Sequence, residues 1–392
     1  MAKEEKKAPK LRFNGYTNDW EHVKSKYLFE NISLKGFQDL PVLSVTQDKG
    51  VVYRDNLDID IKYDLLTLKN YKLVQPGDFI ISLRSFQGGF ETSYLTGITS
   101  PAYTIFNFID NQDKDHAFWQ YLFKRIDFIN SLKRVTFGIR DGKAISFSQF
   151  GDVKVEYPSF DEQKHIATVL TKLDNTIQLH EDHLQFLHSF KSFLLQKMFF
   201  DNDIPPLLRF NKFTEKWNQC RLNDHTIVTM GQSPNSKNYT NNQTGKILVQ
   251  GNADLYKNKV LKRVFTTEVT KTAVKNDILI SVRAPVGDIA RNQYESVVIG
   301  RGIASIKGND FLYYQLEKMK NNGFWNKYIA GSTFESITGK DLKNTKIYTT
   351  ISDEERKIGN IFSSLTKIIQ LQEHKIDSLK KLKQFLLQNM FI

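Results

Sequence analysis

The sequence predicts an α+β protein in which two mixed, strand-rich globular domains alternate with two long helices that pair as an antiparallel coiled coil. Apolar residues in 161–199 follow an alternating spacing of four and three, which is the period of a helix packed along another helix. The same pattern recurs in 353–391, and three shorter segments recur in the same order ahead of each stretch. Two copies with so long a period exclude a solenoid of many repeats.

The predicted organisation therefore has five parts. They are a first domain at 1–157, a first long helix at 158–200, a linker at 201–207, a second domain at 208–348 and a second long helix at 349–392. Short runs of Val, Ile, Phe, Tyr and Thr between Gly, Asn and Asp residues predict strands and turns in both domains. The segments 107–131 and 310–322 predict helices inside them.

Three short segments define the frame that the two domains share. The pairs are 11–20 with 208–217, 77–84 with 276–283, and 145–155 with 337–347. The first pair reads Leu-Arg-Phe followed by Trp in both copies. The second pair predicts a turn that leads into a buried strand ending in Arg84 or Arg283.

Each long helix begins with a capping-box spacing of serine and glutamate. Its seam, the row of residues facing the other helix, is mostly apolar. The residues predicted to pair the helices are Leu173, Ile177, His180, Leu184, Leu187, Lys191, Gln372, Ile376, Leu379, Lys383 and Leu386. An antiparallel register that faces His180 with Lys383 and Lys191 with Gln372 would match polar residues to each other and avoid burying a lone polar group. In that register Leu187 faces Ile376.

Composition points to an anionic partner. The chain of 392 residues carries a formal net charge of +12, which suits a long polyanion such as nucleic acid. It has a single cysteine, Cys220, which excludes an internal disulfide and a Cys-rich zinc site and suits a reducing cytosol. No stretch predicts a membrane span or a secretory leader, so we expect a cytoplasmic protein.

The duplication itself carries a functional argument. Positions that the two copies share should hold the fold, the helix pairing and a common partner. Between the shared segments the copies diverge almost completely: 86–106 does not resemble 285–306. Two domains on one frame with different variable surfaces indicate a bipartite reader, and DNA offers such a reader half-sites spaced by about one helical turn, ~34 Å.

The chain resembles the specificity subunits of type I restriction-modification systems. The similarity rests on the repeated Leu-Arg-Phe…Trp opening, Gly231–Pro234, the segment 277–288, Gly300–Gly302, and Pro158 with Glu162-Gln163 at the entry to the first long helix. The resemblance covers nearly the whole chain. The first domain departs from it by lacking a Gly-Gln-Ser-Pro segment.

The resemblance implies a DNA-binding subunit without catalysis of its own. Its partners would be double-stranded DNA, two modification subunits that methylate adenine with S-adenosylmethionine, and restriction subunits that use ATP and Mg. Those cofactors would belong to the partner subunits, and this chain would bind none. The helix pair would set the spacer of an asymmetric target and dock the modification subunits.

Candidate DNA-contacting residues follow from the duplication. Arg84 and Arg283 end equivalent strands and should contact phosphate or form a structural ion pair. Candidates for base contact lie in the divergent segments, where arginine can bind guanine and Asn or Gln can bind adenine. They are Ser44, Gln47, Lys49, Ser100, Tyr103, Arg140 and Lys143 in the first domain, and Gln232, Ser233, Lys237, Tyr239, Asn252, Arg291 and Arg301 in the second. Taken singly, each is also compatible with an ordinary exposed polar side chain.

Other functions have weaker support in the sequence. The chain has no amino-methyltransferase Pro-Pro-aromatic segment and no phosphate loop. Glu162-Gln163-Lys164 resembles the end of a nuclease site but is explained by acids in a helix first turn. His180 and His183 have metal-pair spacing but also fit a seam position and a solvent position. The alternatives are a coiled-coil scaffold that binds proteins and an RNA-binding regulator. Outer apolar residues such as Phe186, Phe190, Phe193 and Phe385 predict a partner surface and poor solubility alone.

Overall fold

The computed structural model describes residues 8–46, 49–57, 65–81, 89–135, 145–201, 203–328 and 336–392. The chain forms two compact units. The first unit contains the described residues up to His180 together with Lys375–Ile392, and the second unit is Glu181–His374. Each unit therefore contains part of both long helices.

The first unit is built on a four-stranded antiparallel sheet. The strands of the whole unit are β1 (Glu21–Lys24), β2 (Phe29–Ile32), β3 (Leu43–Thr46), β4 (Gly50–Tyr53), β5 (Lys72–Val74), β6 (Phe79–Ile81), β7 (Phe90–Thr92), β8 (Gly97–Thr99), β9 (Thr104–Phe108) and β10 (Lys154–Tyr157). The sheet order is β2-β9-β6-β7, and β1 with β10, β3 with β4, and β5 with β8 form antiparallel pairs. The helices are α1 (His116–Phe123), α2 (Ile126–Val135), α3 (Phe147–Gly151) and the long α4 (Phe160–Met198), which continues into the second unit.

The helix predicted at 107–131 is in fact two helices preceded by a strand end. Asp115 caps α1 by accepting a hydrogen bond from the Phe118 backbone nitrogen at 2.9 Å. The first residues of the segment belong instead to the end of β9, at Phe108. Ile105, Phe106 and Phe108 of that strand are buried in the core. Strand packing thus outweighs helix propensity at this end of the segment.

The second unit repeats this frame and enlarges it. Its strands are β11 (Asn218–Arg221), β12 (Val228–Met230), β13 (Tyr239–Thr240), β14 (Lys246–Val249), β15 (Leu255–Tyr256), β16 (Lys259–Val260), β17 (Val264–Thr266), β18 (Thr272–Val274), β19 (Ile278–Ser281), β20 (Ile289–Arg291), β21 (Ser296–Ile299), β22 (Ile303–Ile306) and β23 (Lys346–Thr349). The sheet orders are β12-β22-β19-β20-β16-β15 and β13-β17-β14-β21-β18, with β11 paired to β23. The helices are α5 (Leu222–His225), α6 (Asp310–Asn321), α7 (Gly339–Lys343) and the long α8 (Ser352–Asn389), which continues into the first unit.

The shared frame is visible in the strand order. The order β2-β9-β6-β7 of the first unit corresponds to β12-β22-β19-β20 of the second, and the pair β1–β10 corresponds to β11–β23. The helix predicted at 310–322 is confirmed as α6. The five-stranded sheet of the second unit corresponds, among the described residues of the first unit, to the pairs β3–β4 and β5–β8, which a parallel bridge between Val42 and Ile98 connects. The sequence divergence between the shared segments thus lies on a reduced version of the same sheet in the first unit.

The predicted turn and strand of the second shared segment are present in both units. Gly77 and Asn276 have φ of 94° and 70°, the left-handed region that tight turns require. The next residue accepts a backbone hydrogen bond in each copy: Asp78 from Gln75 at 2.7 Å, and Asp277 from Val274 at 3.0 Å. The strands β6 and β19 follow at once and are fully buried.

The two long helices pair antiparallel, as predicted. In the first unit, Ile166 and Leu170 of α4 share an apolar cluster with Met390 near the end of α8. In the second unit, Leu187 of α4 shares a cluster with Leu365 and Ile369 of α8. All eleven residues predicted to pair the helices are buried or half-buried. His180, Leu184, Gln372, Leu379, Lys383 and Leu386 are the half-buried ones.

The predicted register of the polar layers is wrong. Leu187 packs with Ile369, which stands one heptad before the Ile376 that the register placed opposite it. The apolar residues therefore set the register by their own packing. The sequence argument failed because it assumed that polar seam residues must face each other.

Both seam lysines bond to carboxylates beside the seam instead. The ammonium nitrogen of Lys383 lies 2.5 Å from a carboxylate oxygen of Asp174, on the same face of the helix pair. The Lys191 nitrogen lies 2.9 Å from Glu317 of α6 and 5.2 Å from the centre of the Tyr314 ring. A seam lysine that is paired with a carboxylate in this way needs no polar partner at the facing seam position.

Candidate nucleic-acid interface

The repeated Leu-Arg-Phe opening anchors each domain to a long helix. Arg12 donates two hydrogen bonds of 2.7 Å to Glu162 in the first turn of α4. Arg209 does the same to Glu354 in the first turn of α8, at 2.8 Å. The repeated tryptophan also contributes in the second unit, where Trp217 donates to Glu354 at 3.1 Å. Shared positions thus hold the frame together, as the duplication argument requires.

These contacts explain the nuclease-like Glu162-Gln163-Lys164 segment. The Glu162 carboxylate is 1% exposed and is bound by Arg12. The Gln163 amide donates to the Pro158 carbonyl at 2.9 Å and its oxygen accepts from the Asp115 backbone nitrogen at 3.1 Å. Both side chains serve the start of the helix and leave no carboxylate open to a metal or a substrate.

A junction of three chain segments stands at one end of the second unit's sheets. We call it the glycine junction; its segments are 231–233, 250–252 and 300–302. The Gly231 nitrogen donates to Ile303 at 2.9 Å, and the Gly302 nitrogen donates to Gln250 at 3.1 Å. A Cβ atom on Gly231 would collide with the Gly300 carbonyl oxygen, and one on Gly302 with the Gln250 carbonyl oxygen. Only glycine permits this backbone contact.

The glycine junction brings together five predicted DNA-contacting residues of the second domain. They are Gln232, Ser233, Asn252, Arg283 and Arg301. Ser233 accepts a hydrogen bond from the Arg301 backbone nitrogen at 3.1 Å, which fixes the turn that carries Arg301. Val282 donates to the Gly302 carbonyl at 2.9 Å and so places Arg283 beside the same turn. Gln232, Arg283 and Arg301 are exposed.

Three further candidates of the second domain lie outside this junction. Lys237 is exposed, and Tyr239 is half-buried where it pairs with Thr266 in β13 and β17. Arg291 donates to the Asn276 and Gly308 carbonyls at 2.7 and 2.8 Å and to Asp310 at 2.6 Å. With its donors directed at its own domain, Arg291 has a structural role, which corrects the prediction of base contact.

In the first domain the structure corrects one candidate and describes three others. Ser44 is buried and accepts a hydrogen bond from Arg54 at 3.1 Å, so its hydroxyl faces the protein and cannot contact a base. Lys49 is exposed beside the β3–β4 turn. Ser100 and Tyr103 are half-buried at the two ends of a tight turn, in which the Tyr103 nitrogen donates to the Ser100 carbonyl at 3.1 Å. Gln47, Arg84, Arg140 and Lys143 lie outside the described residues.

One group of cations was missed by the sequence analysis. Arg221, Lys340, Lys343 and Lys346 are exposed around two adjoining depressions next to the glycine junction. They come from the start and the end of the second domain, in stretches without an evident motif. The pairing of β11 with β23 brings Arg221 and Lys346 together. In the sequence, only the third recurring segment pointed to this strand pair.

No metal centre or membrane helix is found in the part of the chain that the structure describes. None of its His, Cys, Asp and Glu side chains form a group of three that could hold a metal ion. None of its helices is both long and apolar enough to cross a membrane. Cys220 is half-buried, and burial raises the pKa of its thiol, so it lacks the activated thiolate of a nucleophile.

Comparison with known proteins agrees with the duplicated frame. The family model described as type I restriction modification DNA specificity domain matches residues 19–188 and again 214–381. A protein of Methanocaldococcus jannaschii assigned as the specificity subunit of the MjaX type I restriction enzyme is 29% identical over 280 residues. That match covers 67% of this chain and only 64% of the relative's length.

Solved structures show the same fold at low sequence identity. The S subunit of a type I restriction-modification system from M. genitalium has a TM-score of 0.63 and 15% identity, over 98% of this chain and 99% of that one. A chain from a structure of the type I R-M system that describes complex assembly and conformational transition has a TM-score of 0.59 and 19% identity, over 95% and 97%.

Proposed function

Because the chain belongs to the family of type I restriction modification DNA specificity domains, we propose that it is the DNA-binding specificity subunit of a type I restriction-modification complex. Each globular domain would read one half of a bipartite, asymmetric target in double-stranded DNA. The helix pair would set the spacer and dock two modification subunits, and restriction subunits would join through the complex.

The glycine junction is the observation that supports this proposal most directly. It carries exposed Gln232 and Arg301 on segments that backbone hydrogen bonds and glycine contacts hold in place, with exposed Arg283 beside them. Arginine and glutamine are the side chains best suited to bidentate contact with guanine and adenine. A rigid support for such residues is what sequence readout requires, because a mispositioned donor loses its discrimination between bases.

We propose in addition that the chain contributes no catalysis. S-adenosylmethionine, ATP and Mg would be bound by the partner subunits, and this chain would hold no cofactor. The support is that Glu162, the carboxylate of the nuclease-like segment, is bound by Arg12, as its counterpart Glu354 is bound by Arg209. The purified chain, incubated with DNA, S-adenosylmethionine and Mg, should neither methylate nor cut.

The test is to co-express the full chain with a cognate modification subunit in a methylation-free host and map the modified adenines across the genome. We expect a two-part motif with a fixed gap. A continuous motif would contradict reading by two domains. A stable complex that methylates no DNA would favour the alternative of a protein-binding coiled-coil scaffold. In that case partner binding should also depend little on salt concentration.

A further inference from the structure

The second unit carries a basic groove that the proposed function has not used. Four exposed cations line it: Arg221 at the end of β11, Lys340 and Lys343 on α7, and Lys346 at the start of β23. Asp224 is the one carboxylate among its described lining residues. No carboxylate of the described residues lies within ion-pair distance of the four cations, although the pKa of Asp203 is lowered by a hydrogen bond from Tyr348 and also by the Lys346 charge.

Two of these cations lie directly opposite each other. Arg221 and Lys346 are register partners in the antiparallel pair β11–β23. Like charges at facing positions of an antiparallel pair destabilise the fold. An anion placed over the pair would offset this cost.

The first unit repeats this arrangement at the equivalent place. Lys24 and Lys154 are register partners in β1–β10. There, however, Asp152 lies 3.1 Å from the Lys24 nitrogen and 3.6 Å from that of Lys26. The first unit thus keeps the cross-strand cations but pairs one of them with a carboxylate, whereas Arg221 and Lys346 of the second unit form no such pair with a described residue.

The groove adjoins the glycine junction. Met230 lines the groove and is followed at once by Gly231 of the junction. Gly339, at the start of α7, packs so closely on Met230 that a Cβ atom there would lie 3.0 Å from the Met230 Cγ. A duplex whose base edges reach the junction would therefore carry its sugar-phosphate backbone past these cations.

We propose that this groove binds phosphates of the DNA backbone and fixes the register of the second domain on its half-site. The inference rests on the proposed function, because DNA is the polyanion that function supplies. Phosphate contacts position a protein on DNA and supply affinity, but they do not read sequence. The groove should accordingly strengthen binding to any duplex and leave the recognised bases unchanged.

The test compares the double variant Lys340→Gln/Lys343→Gln with the wild-type chain, each in complex with its modification subunits. Binding of cognate and unrelated duplexes is measured by fluorescence anisotropy over a series of salt concentrations. Each phosphate contact contributes about 0.9 to the slope of log affinity against log salt. We expect the slope to fall by roughly 1.8, affinity for both duplexes to fall by the same factor, and the methylation motif to stay the same.

Lys172→Gln/Lys367→Gln is the matched control, since it removes the same charge from exposed positions outside the groove. A groove variant whose slope equals that of this control would overturn the inference. So would a groove variant that loses its modification subunits while its DNA slope is unchanged, because the groove would then be a protein-docking surface. A wild-type complex that binds no DNA would overturn the proposed function itself.

The single cysteine provides a second measurement that needs no substitution. Cys220 lines the same groove. Its alkylation in the wild-type complex can be followed by mass spectrometry of the Cys220 peptide, with and without duplex. We expect any duplex, cognate or not, to slow alkylation several-fold at low salt and to lose this effect at high salt. Alkylation at one rate with and without DNA would contradict the proposal.

Discussion

Arg209 holds the carboxylate of Glu354 with two hydrogen bonds of 2.8 Å, in a site where the glutamate is 0% exposed. Arg12 and Glu162 repeat this pair in the first unit, although the partners are 150 residues apart. The opening segment of each domain is thereby bound to the first turn of the long helix that follows the domain. A buried, bidentate pair of this kind fixes the angle at which the chain enters the helix.

Replacing Arg209 with alanine should destabilise the second unit strongly. The change leaves the buried Glu354 carboxylate without its charged partner, which costs about 3–5 kcal/mol of unfolding free energy. Denaturant unfolding followed by tryptophan fluorescence measures it, because Trp217 contacts the same carboxylate. Arg356→Ala is the control: its pair with Asp353 lies at the same helix start but is largely exposed, so the cost should stay below about 1 kcal/mol. Equal losses in the two variants would contradict a buried anchor.

The same pair predicts an acid-dependent stability. Burial alone would raise the pKa of Glu354, but hydrogen bonds from Arg209 and Thr350 and the arginine charge outweigh it and lower the pKa below its ordinary value of 4.5. The stabilisation is then fully present above about pH 4.5 and is lost as pH falls through the lowered pKa. Glu354→Gln should flatten this acid limb in a series of unfolding curves. If the loss of stability at acid pH were unchanged in that variant, groups other than Glu354 would cause it.

Gly302→Ala should disable the glycine junction. The added Cβ collides with the Gln250 carbonyl oxygen, so the segment must shift, at a cost of about 3 kcal/mol. One half of the methylation motif should become degenerate while the other half is retained. Gly251→Ala is a close control within the same junction, because a Cβ there meets no atom within 4 Å. Loss of the half-motif in both variants would show that the collision is not the cause.

Alanine variants of Arg301 and Arg291 should have different effects, one on the recognised bases and the other on stability. Arg301→Ala removes an exposed side chain and should relax one position of the motif, by about 1–3 kcal/mol of discrimination, without changing the melting temperature. Arg291→Ala removes the hydrogen bonds to Asn276, Gly308 and Asp310, and should lower stability by about 2–3 kcal/mol with the motif intact. Motif mapping and thermal unfolding of both variants check this. If Arg291→Ala altered the motif, Arg291 would be the residue that contacts a base.

The sequence predicted the frame because the frame is periodic and duplicated. The long helices, the strand that follows Gly77 or Asn276, and the antiparallel pairing all follow from spacing and recurrence. The repeated arginine was visible too, but its glutamate partner was not, because no pattern links residues that far apart. The glycine junction was detected only as separate motifs, since its convergence depends on the sheet order.

Individual side chains were predicted less well, for local reasons. Ser44 lies on a strand where two consecutive residues, Leu43 and Ser44, are both buried, so alternation did not mark it as inward. Arg291 finds Asp310 and two carbonyl groups across a turn that the sequence does not reveal. The register of the helix pair was mispredicted because Asp174 and Glu317 satisfy the seam lysines from outside the seam.

The division of the long helices between the units bears on biosynthesis. Among the described residues, the largest apolar cluster of the second unit lies between Leu194 and Phe362, so all of it is synthesised before the end of α8. The core of the first unit includes Met390 and Phe391, with the Phe391 ring stacked on Phe118 at 5.2 Å. Domains usually fold in the order in which they are synthesised. Here the core of the part made first is complete only when Met390 and Phe391, which follow α8, are available, so every residue of the second unit's cluster is synthesised before the first unit's core can close.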